Sequence, residues 1–272
     1  MSLTEAKTAG MPALAVPALE VSGLSKAFGG VQAVKDVNFK VAEGELLALI
    51  GPNGAGKSTC FNMLNGQIRP DRGSVKLAGE ELVGRSPAQI WRRGVGRTFQ
   101  ITATFPSMTV AENVAMVLMS QDRELFSFTR SAVNRHRAKA LELLDLVGMA
   151  GQADRPCGVL AYGDLKRVEL AVALGNEPRV LLMDEPTAGM APRERVELMG
   201  LAARLAHELD VAVLFTEHDM DIVFSHADRI IVLSRGELIA EGDAGQIRSD
   251  PLVLKTYLGE GQVYGQDKKP KD

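Results

Sequence analysis

The chain has 272 residues, of which 46% are hydrophobic and 24% charged, as in a globular protein that buries a large core. Its formal net charge of −3 excludes a whole-chain electrostatic attraction to nucleic acid or to an anionic membrane surface. No apolar stretch approaches the roughly 20 residues that span a bilayer, and no signal-peptide pattern opens the chain. The two cysteines have no ligand-like spacing and do not suggest a disulfide framework. We therefore expect a cytoplasmic protein without a nucleic-acid partner, which reaches any membrane through another subunit.

The first part of the chain predicts a disordered lead-in followed by strands. Residues 1–18 are rich in Ala, Pro and Thr and show little periodicity, which is typical of disorder. From there to about residue 41, short alternating segments broken by Gly29-Gly30 and by Asp36 indicate antiparallel strands. The apolar run 46–50 then predicts a strand buried on both faces.

The middle of the chain, about residues 87–155, has a helical character and predicts an inserted helical subdomain. Two helical patterns stand out, at 110–120 and at 132–147, and Gly148 is placed to end the second.

The last part returns to strands that alternate with helices. The predicted order is helix 164–174, strand 180–183, helix 192–209, strand 211–216, and a hairpin of 230–233 with 237–240. Such alternation indicates an α/β fold with a largely parallel sheet. We expect one domain to span 19–258, with a short C-terminal extension at 242–258 and a flexible tail at 259–272.

The strongest local signal is a glycine-rich loop between the strand 46–50 and a helix. It reads Gly51-Pro52-Asn53-Gly54-Ala55-Gly56-Lys57-Ser58-Thr59 and fits the phosphate-loop pattern G-x-x-x-x-G-K-[ST]. Glycines let backbone N–H groups turn toward phosphate oxygens, and the helix N-terminus adds a favourable dipole. Lys57 would neutralise the β and γ phosphates, and the Ser58 hydroxyl would bind Mg²⁺. The full pattern in this position disfavours an ordinary glycine-rich turn.

A second signal is a pair of carboxylates at the end of the predicted strand 180–183. Asp184 is placed to hold Mg²⁺, and Glu185 is placed to polarise a water that attacks the γ-phosphate. Alone, such a pair is more often a solvated turn. Its position downstream of a phosphate loop favours the catalytic interpretation.

Three weaker signals complete the series. Gln100 ends the segment 96–100 at the junction with the helical region, and His218 follows a predicted strand. The segment Leu160-Ala161-Tyr162-Gly163-Asp164 opens a helix shortly before the carboxylates. Each alone is weak, but the five elements in this order are specific.

That order resembles the nucleotide-binding subunits of ABC transporters over roughly residues 19–258. The resemblance implies a P-loop NTPase (RecA-like) core, an antiparallel β subdomain and an inserted helical subdomain. It also implies ATP and Mg²⁺ as cofactors, and a sandwich dimer with two ATP molecules at its interface. Each ATP would contact the phosphate loop of one subunit and the signature segment, residues 160–164, of the other.

Family roles then fall on matching residues. The resemblance implies that Phe28 stacks on adenine, although a Phe in a strand is usually part of a core. The phosphate loop, including Lys57, Ser58 and Thr59, would hold the phosphates and Mg²⁺.

The remaining implied roles concern hydrolysis. Gln100 would link Mg²⁺ or the attacking water to the helical subdomain. Glu185 would be the catalytic base, and His218 would contact the γ-phosphate. Leu160, Ala161, Tyr162 and Gly163 would complete the partner's site.

The sequence departs from the family at the dimer face. The signature commonly reads Leu-Ser-Gly-Gly-Gln, whereas this chain has Ala161, Tyr162 and Asp164 at the second, third and fifth positions. Asp164 is expected to cap the helix and also to weaken the binding of a nearby anion. Ala191 stands where the family usually has an Asp. The sequence therefore leaves open whether the two ATP sites are coupled.

Further motifs resemble one branch of the family, the ATPases of branched-chain or hydrophobic amino acid importers. These are Val-Gly-Arg-Thr-Phe-Gln at 95–100, Met-Thr-Val-Ala-Glu-Asn-Val at 108–114, Leu-Ala-Tyr-Gly in the signature, and the ending 242–259. The resemblance implies a second ATPase subunit, identical or related, and two transmembrane permease subunits. A periplasmic solute-binding protein would act indirectly, and the chain would lie on the cytoplasmic face of the inner membrane.

Phe105, Met108 and Val110 allow two interpretations. They could line a groove for a helix from a membrane subunit, or they could pack inside the helical subdomain.

Other functions stay open from the sequence. The transported solute could be urea, an amide, an aromatic acid or an exported lipid, because an ATPase subunit does not touch the solute. A soluble ABC ATPase of translation or DNA repair is disfavoured by the single cassette and the lack of heptads. A nucleotide kinase or ligase is disfavoured by His218 and the signature segment.

Overall fold

The computed structural model of the protein describes residues 16–98, 104–122 and 130–258. Within these ranges the strands are β1 (Leu19–Phe28), β2 (Val31–Val41), β3 (Leu46–Ile50), β4 (Arg72–Leu77), β5 (Glu80–Glu81), β6 (Val95–Thr98), β7 (Val180–Asp184), β8 (Ala212–Thr216), β9 (Arg229–Ser234) and β10 (Glu237–Gly242). The helices are α1 (Lys57–Leu64), α2 (Pro87–Trp91), α3 (Val110–Gln121), α4 (Arg130–Leu146), α5 (Tyr162–Leu174), α6 (Pro192–Glu208), α7 (Met220–His226), α8 (Ala244–Ser249) and α9 (Pro251–Val253), the last continued by a π turn, Leu254–Leu258. Residues 1–15 and 259–272, where the sequence predicts disorder and a flexible tail, lie outside the described part of the chain.

The larger sheet has six strands in the order β10-β9-β3-β8-β7-β6. Its neighbours are parallel except for β10, which returns antiparallel to β9 as a hairpin. The central strand β3 is buried along its whole length, as a parallel strand covered on both faces should be.

Alternation along β3 joins two hydrophobic cores. Leu46, Ala48 and Ile50 belong to the core shared with the helices, whereas Leu47 and Leu49 belong to the core under the second sheet. This follows from the two-residue period of a strand, which points neighbouring side chains to opposite faces. The chain that leaves β3 therefore enters the phosphate loop from a position fixed on both sides.

The second sheet is antiparallel, in the order β2-β1-β4-β5. Gly29 and Gly30 form the predicted turn, but the predicted break at Asp36 is wrong. Asp36 lies within β2 with a φ of 49°, and its backbone N–H donates to the Ser25 hydroxyl. The strand absorbs the residue as a local irregularity because Asp tolerates this left-handed conformation better than most residues.

Helices α3 and α4, which come between β6 and β7 in the chain order, pack against each other. Thr109 and Glu112 form a capping box at the start of α3, which explains the predicted helix boundary there. The predicted helices and strands of the second half lie within two residues of those observed. The sequence analysis did not predict the short elements β4, β5, α2, β6, α7, α8 and α9, because each offers too few residues for a clear pattern. None of the helices in the described ranges combines the length and the apolar composition of a membrane-spanning segment.

Candidate functional site

The phosphate loop leaves β3 and turns tightly into α1. Gly51 and Gly56 have φ values of 152° and 108°, and a Cβ on either would collide with a carbonyl oxygen, that of Leu233 or that of Ala33. Only glycine fits at both positions. Gly56 is also the N-cap residue of α1, so the free N–H groups of the first helical turn face the loop.

Lys57 folds its side chain back into the loop. Its ammonium donates to the carbonyl oxygens of Gly51, at 2.6 Å, and Pro52, at 3.2 Å. Burial lowers the pKa of Lys57, and the nearby carboxylates of Glu185 and Asp184 oppose that shift. A desolvated cation held by two carbonyl oxygens of the loop is suited to an anionic ligand.

A cavity of about 220 Å³ opens over this loop. It brings together three of the predicted elements, the phosphate loop, Glu185 and His218. Its lining residues are Ala33, Asn53, Gly54, Ala55, Gly56, Lys57, Ser58, Thr59, Glu185 and His218. A ligand held by the loop therefore meets the carboxylate and the imidazole directly.

Glu185 and His218 form one unit on the cavity wall. Glu185 Oε1 and His218 Nε2 are 2.8 Å apart. The backbone of Glu185 has a φ of 48°, and its N–H donates to the carbonyl and the hydroxyl of Thr216, each at 3.1 Å. A left-handed conformation of this kind at a residue other than glycine costs on the order of 1 kcal/mol and clusters at functional sites. The contacts to Thr216 hold it.

Two residues that the sequence analysis did not single out organise this wall. The Thr216 hydroxyl donates to Asp184 Oδ1 at 2.8 Å. Glu217 is buried and accepts from the backbone N–H and the hydroxyl of Thr187 at 2.9 and 2.7 Å, and from the N–H of His218 at 3.2 Å. In the sequence, only their position just before His218 pointed to Thr216 and Glu217. Both roles depend on contacts with residues about 30 positions away in the chain.

Asp184 ends β7 and is 8% exposed. It does not line the cavity, but its charge influences the pKa of Lys57, so it lies close to the loop. Mg²⁺ prefers oxygen ligands and is usually held by one or two carboxylates together with substrate phosphates. Asp184 and the exposed Ser58 hydroxyl fit that pattern, and no group of three or more His, Cys, Asp or Glu ligands occurs in the described part.

The signature segment lies elsewhere on the subunit. Leu160 and Gly163 flank the start of α5, whose N-cap is Ala161, and the segment contributes nothing to the described lining of the cavity. The expectation that Asp164 caps the helix is wrong, because Asp164 lies inside the first turn. Its charge there still complements the helix dipole. The half-exposed Tyr162 donates its hydroxyl to the carbonyl of Ala188 at 3.2 Å.

Two predicted residues are not brought to the cavity. Phe28 ends β1 with its ring 47% exposed, and the Lys26 ammonium lies 5.5 Å from the ring centroid. Phe28 is therefore not a core residue, and stacking on adenine stays a prediction. Gln100 lies outside the described residues.

A separate apolar groove of about 530 Å³ lies beside α2, β6 and α3. Phe105 forms part of its wall and is 55% exposed. Met108 is half-buried and does not line the groove. Val110 is fully buried in the core, so the interpretation that it lines the groove is wrong. Asn113 fixes Phe105 by accepting from its backbone N–H at 2.7 Å and donating to its carbonyl at 3.2 Å.

Comparison with known protein families gives two matches. The ABC transporter family model matches residues 34–188, which include the phosphate loop, the signature segment and both carboxylates. The chain belongs to the ABC transporter family of ATP-binding proteins. A second model, the branched-chain amino acid ATP-binding cassette transporter, matches residues 237–263.

Individual relatives support the same assignment to the ABC family. The high-affinity branched-chain amino acid transport ATP-binding protein BraF of Pseudomonas aeruginosa is 44% identical over 254 residues, covering 90% of this chain and 98% of BraF. LivG of Escherichia coli K12, which carries the same description, is 40% identical over 251 residues, covering 90% and 98%.

A solved ABC cassette shares the fold. The ADP conformation of MJ1267, an ATP-binding cassette of an ABC transporter, superposes with a TM-score of 0.78 at 30% identity, covering 90% of this chain and 99% of MJ1267. The P-loop NTPase fold and the family resemblance are thereby confirmed.

Replacing Lys57 by Met tests the electrostatics of the loop. Because the pKa of Lys57 is lowered in the folded protein, its positive charge opposes folding at neutral pH. We expect Lys57→Met to unfold, without nucleotide, at an equal or higher urea concentration at pH 7. The difference in unfolding urea concentration between the variant and the wild type should become smaller as the pH rises. The decrease should begin at the pKa of Lys57 in the folded protein and continue toward its pKa in the unfolded chain. Stabilisation by MgATP should disappear.

The surface variant Lys139→Met is the control and should keep the MgATP stabilisation. A Lys57→Met protein that is markedly less stable without nucleotide, or that MgATP stabilises as in wild type, would contradict this account.

Proposed function

We propose that this chain is the ATP-hydrolysing subunit of an importer for branched-chain or other hydrophobic amino acids. ATP hydrolysis is the activity of the ABC family to which it belongs. The single observation that carries the proposal is the cavity in which the phosphate loop, Glu185 and His218 meet. The match of the C-terminal segment and the names of BraF and LivG support the class of solute.

Binding begins at the loop. The N–H groups at the start of α1 and the loop backbone surround the phosphates, and the ammonium of Lys57 exchanges the carbonyl oxygens of Gly51 and Pro52 for phosphate oxygens. Phe28, exposed at the end of β1, is available to stack on the adenine. Ser58 and Asp184 would hold Mg²⁺, which neutralises charge on the β and γ phosphates.

Hydrolysis follows at the cavity wall. Glu185 accepts a proton from a water whose oxygen attacks the γ-phosphorus, and the bond to the β–γ bridging oxygen breaks to give ADP and phosphate. His218, 2.8 Å from Glu185, orients the carboxylate and contacts the γ-phosphate. Gln100 would connect this site to the helical region.

A second ATPase subunit, identical or related, would complete the site. The described lining of the cavity includes none of the signature residues Leu160, Ala161, Tyr162 and Gly163 of the same subunit. The N-terminus of α5 offers N–H groups to a partner's nucleotide. Two ATP molecules would close the dimer, and loss of the γ-phosphate contacts would reopen it, a ligand-driven switch between two states.

The membrane partners would be two permease subunits, with a periplasmic solute-binding protein acting through them. The groove beside Phe105 is apolar and open, which suits a helix from a permease subunit. This arrangement would hold the chain on the cytoplasmic face of the inner membrane as a peripheral subunit.

Replacing Glu185 by Gln tests its role as the base. The amide keeps the size of the side chain but cannot accept the proton, so we expect MgATP binding to persist while phosphate release falls by at least about 100-fold. Glu197→Gln, on the exposed part of α6, is the matched control and should keep normal turnover. Near-normal phosphate release from Glu185→Gln would refute the role.

Copurification tests the partners. We expect the tagged chain, coexpressed with its membrane subunits, to hold them in detergent. Phe105→Asp should lose them while still binding MgATP, because the charge would be buried in an apolar groove. Leu252→Asp, which alters an exposed apolar residue outside the groove, should retain the partners. Equal recovery with Phe105→Asp would contradict the docking site.

The solute is then identified through the binding protein. We expect leucine, isoleucine or valine to bind it and to stimulate ATP hydrolysis by the reconstituted complex. Stimulation by urea, amides or aromatic acids alone would move the chain to another branch of the family.

A further inference from the structure

Arg97, near the end of β6, connects the groove with the carboxylate of Asp184. Its side chain is 14% exposed. One guanidinium nitrogen, Nη1, donates to Asn62 Oδ1 at 2.9 Å and to Gln67 Oε1 at 3.2 Å, and the other, Nη2, donates to Asp184 Oδ2 at 3.3 Å. Arg97 and Gln67 also line the groove. One side chain therefore touches both regions.

We infer that Arg97 is a positioning residue that holds Asp184 in competition with Mg²⁺, so that Mg²⁺ affinity depends on what occupies the groove. The inference rests on the proposed function, because it takes Asp184 as the residue that would hold Mg²⁺. It adds a residue that the motifs of the phosphate site do not include.

The competition follows from the surroundings of Asp184. Its Oδ1 accepts from the Thr216 hydroxyl at 2.8 Å, and its Oδ2 accepts from Arg97. Mg²⁺ and a guanidinium are both cations, so one weakens the binding of the other to the same carboxylate. The Arg97–Asp184 distance of 3.3 Å is longer than the roughly 2.7–2.9 Å of a tight charge-assisted hydrogen bond. A loose contact of this kind can yield, and Asn62 and Gln67 still hold the other nitrogen when it does.

We expect the occupant of the groove to control the competition between Arg97 and Mg²⁺ for Asp184. Arg97 is the one charged side chain among the described residues that line it. A docked permease segment that places a carboxylate or a free carbonyl oxygen near Arg97 would draw the guanidinium away from Asp184. Occupation of the groove would then raise the affinity of the nucleotide site for Mg²⁺.

The test measures the Mg²⁺ concentration at half-maximal binding of fluorescently labelled ADP, with isolated subunits and no turnover. Arg97→Met should lower that concentration by at least about threefold, since one competing charge is removed. Arg97→Lys keeps the charge and should stay close to wild type. Arg93→Met, which breaks a surface ion pair with Glu80, should leave the concentration unchanged.

The assembled complex provides the second readout. With the membrane subunits bound, the half-saturating Mg²⁺ concentration of wild type should fall toward that of isolated Arg97→Met, and the variant should show no further fall. If Arg97→Met is too unstable to purify, Arg97→Gln replaces it.

An unchanged or higher Mg²⁺ requirement in the neutral variant would overturn the inference, as would a lowered unfolding temperature with no change in Mg²⁺ dependence. Failure of the proposed function is distinguishable, because wild type itself would then bind no labelled ADP at any Mg²⁺ concentration.

Discussion

The structure depends on the close approach of the phosphate loop to backbone from both sheets. Gly51 lies against the carbonyl of Leu233 in the larger sheet, and Gly56 lies against the carbonyl of Ala33 in the antiparallel sheet. The hairpin turn adds a hydrogen bond from the N–H of Gly236 to the carbonyl of Ala55 at 2.9 Å. No side chain fits at Gly51 or Gly56, so the loop can follow this path only with glycine at both positions.

Parallel strands then bring the chemistry to the same edge. Asp184 is in register with Thr216 across β7 and β8, and both strands end beside the loop that follows β3. The carboxyl ends of parallel strands form the common ligand crevice of α/β folds. Thr216 connects the carboxylate of Asp184 with the backbone of Glu185, since its hydroxyl donates to Asp184 and accepts from the N–H of Glu185. The buried side chain of Lys57 lies close enough to both carboxylates for their charges to oppose the lowering of its pKa by burial.

The sequence predicted the parts of this site that are local. The phosphate loop and the Asp184-Glu185 pair are contiguous, and each depends on a strand that the apolar pattern reveals. Tertiary pairings could not be predicted in this way. Arg97 meets Asp184 only because β6 lies beside β7, and Glu217 meets Thr187 only through the folded loops.

The same limit explains the errors in the fold. Asp36 is a residue type that is common in turns, but the pairing of β2 with β1 continues on both sides of it. Val110 follows an exposed loop, but as the first residue of α3 it turns into the core. Phe28 is the reverse case, an aromatic residue in a strand that stays half-exposed because β1 ends there. For Val110 and Phe28, the position at the end of an element determined the burial of the side chain more than the residue type did.

The central claim is that a water, directed by Glu185, attacks the last phosphorus of an ATP held by the loop. Turnover of the assembled complex in ¹⁸O-labelled water tests it most directly. We expect the label to enter the released inorganic phosphate and never the ADP. Label in the ADP, or transfer of the γ-phosphate to another acceptor without labelled phosphate, would contradict it.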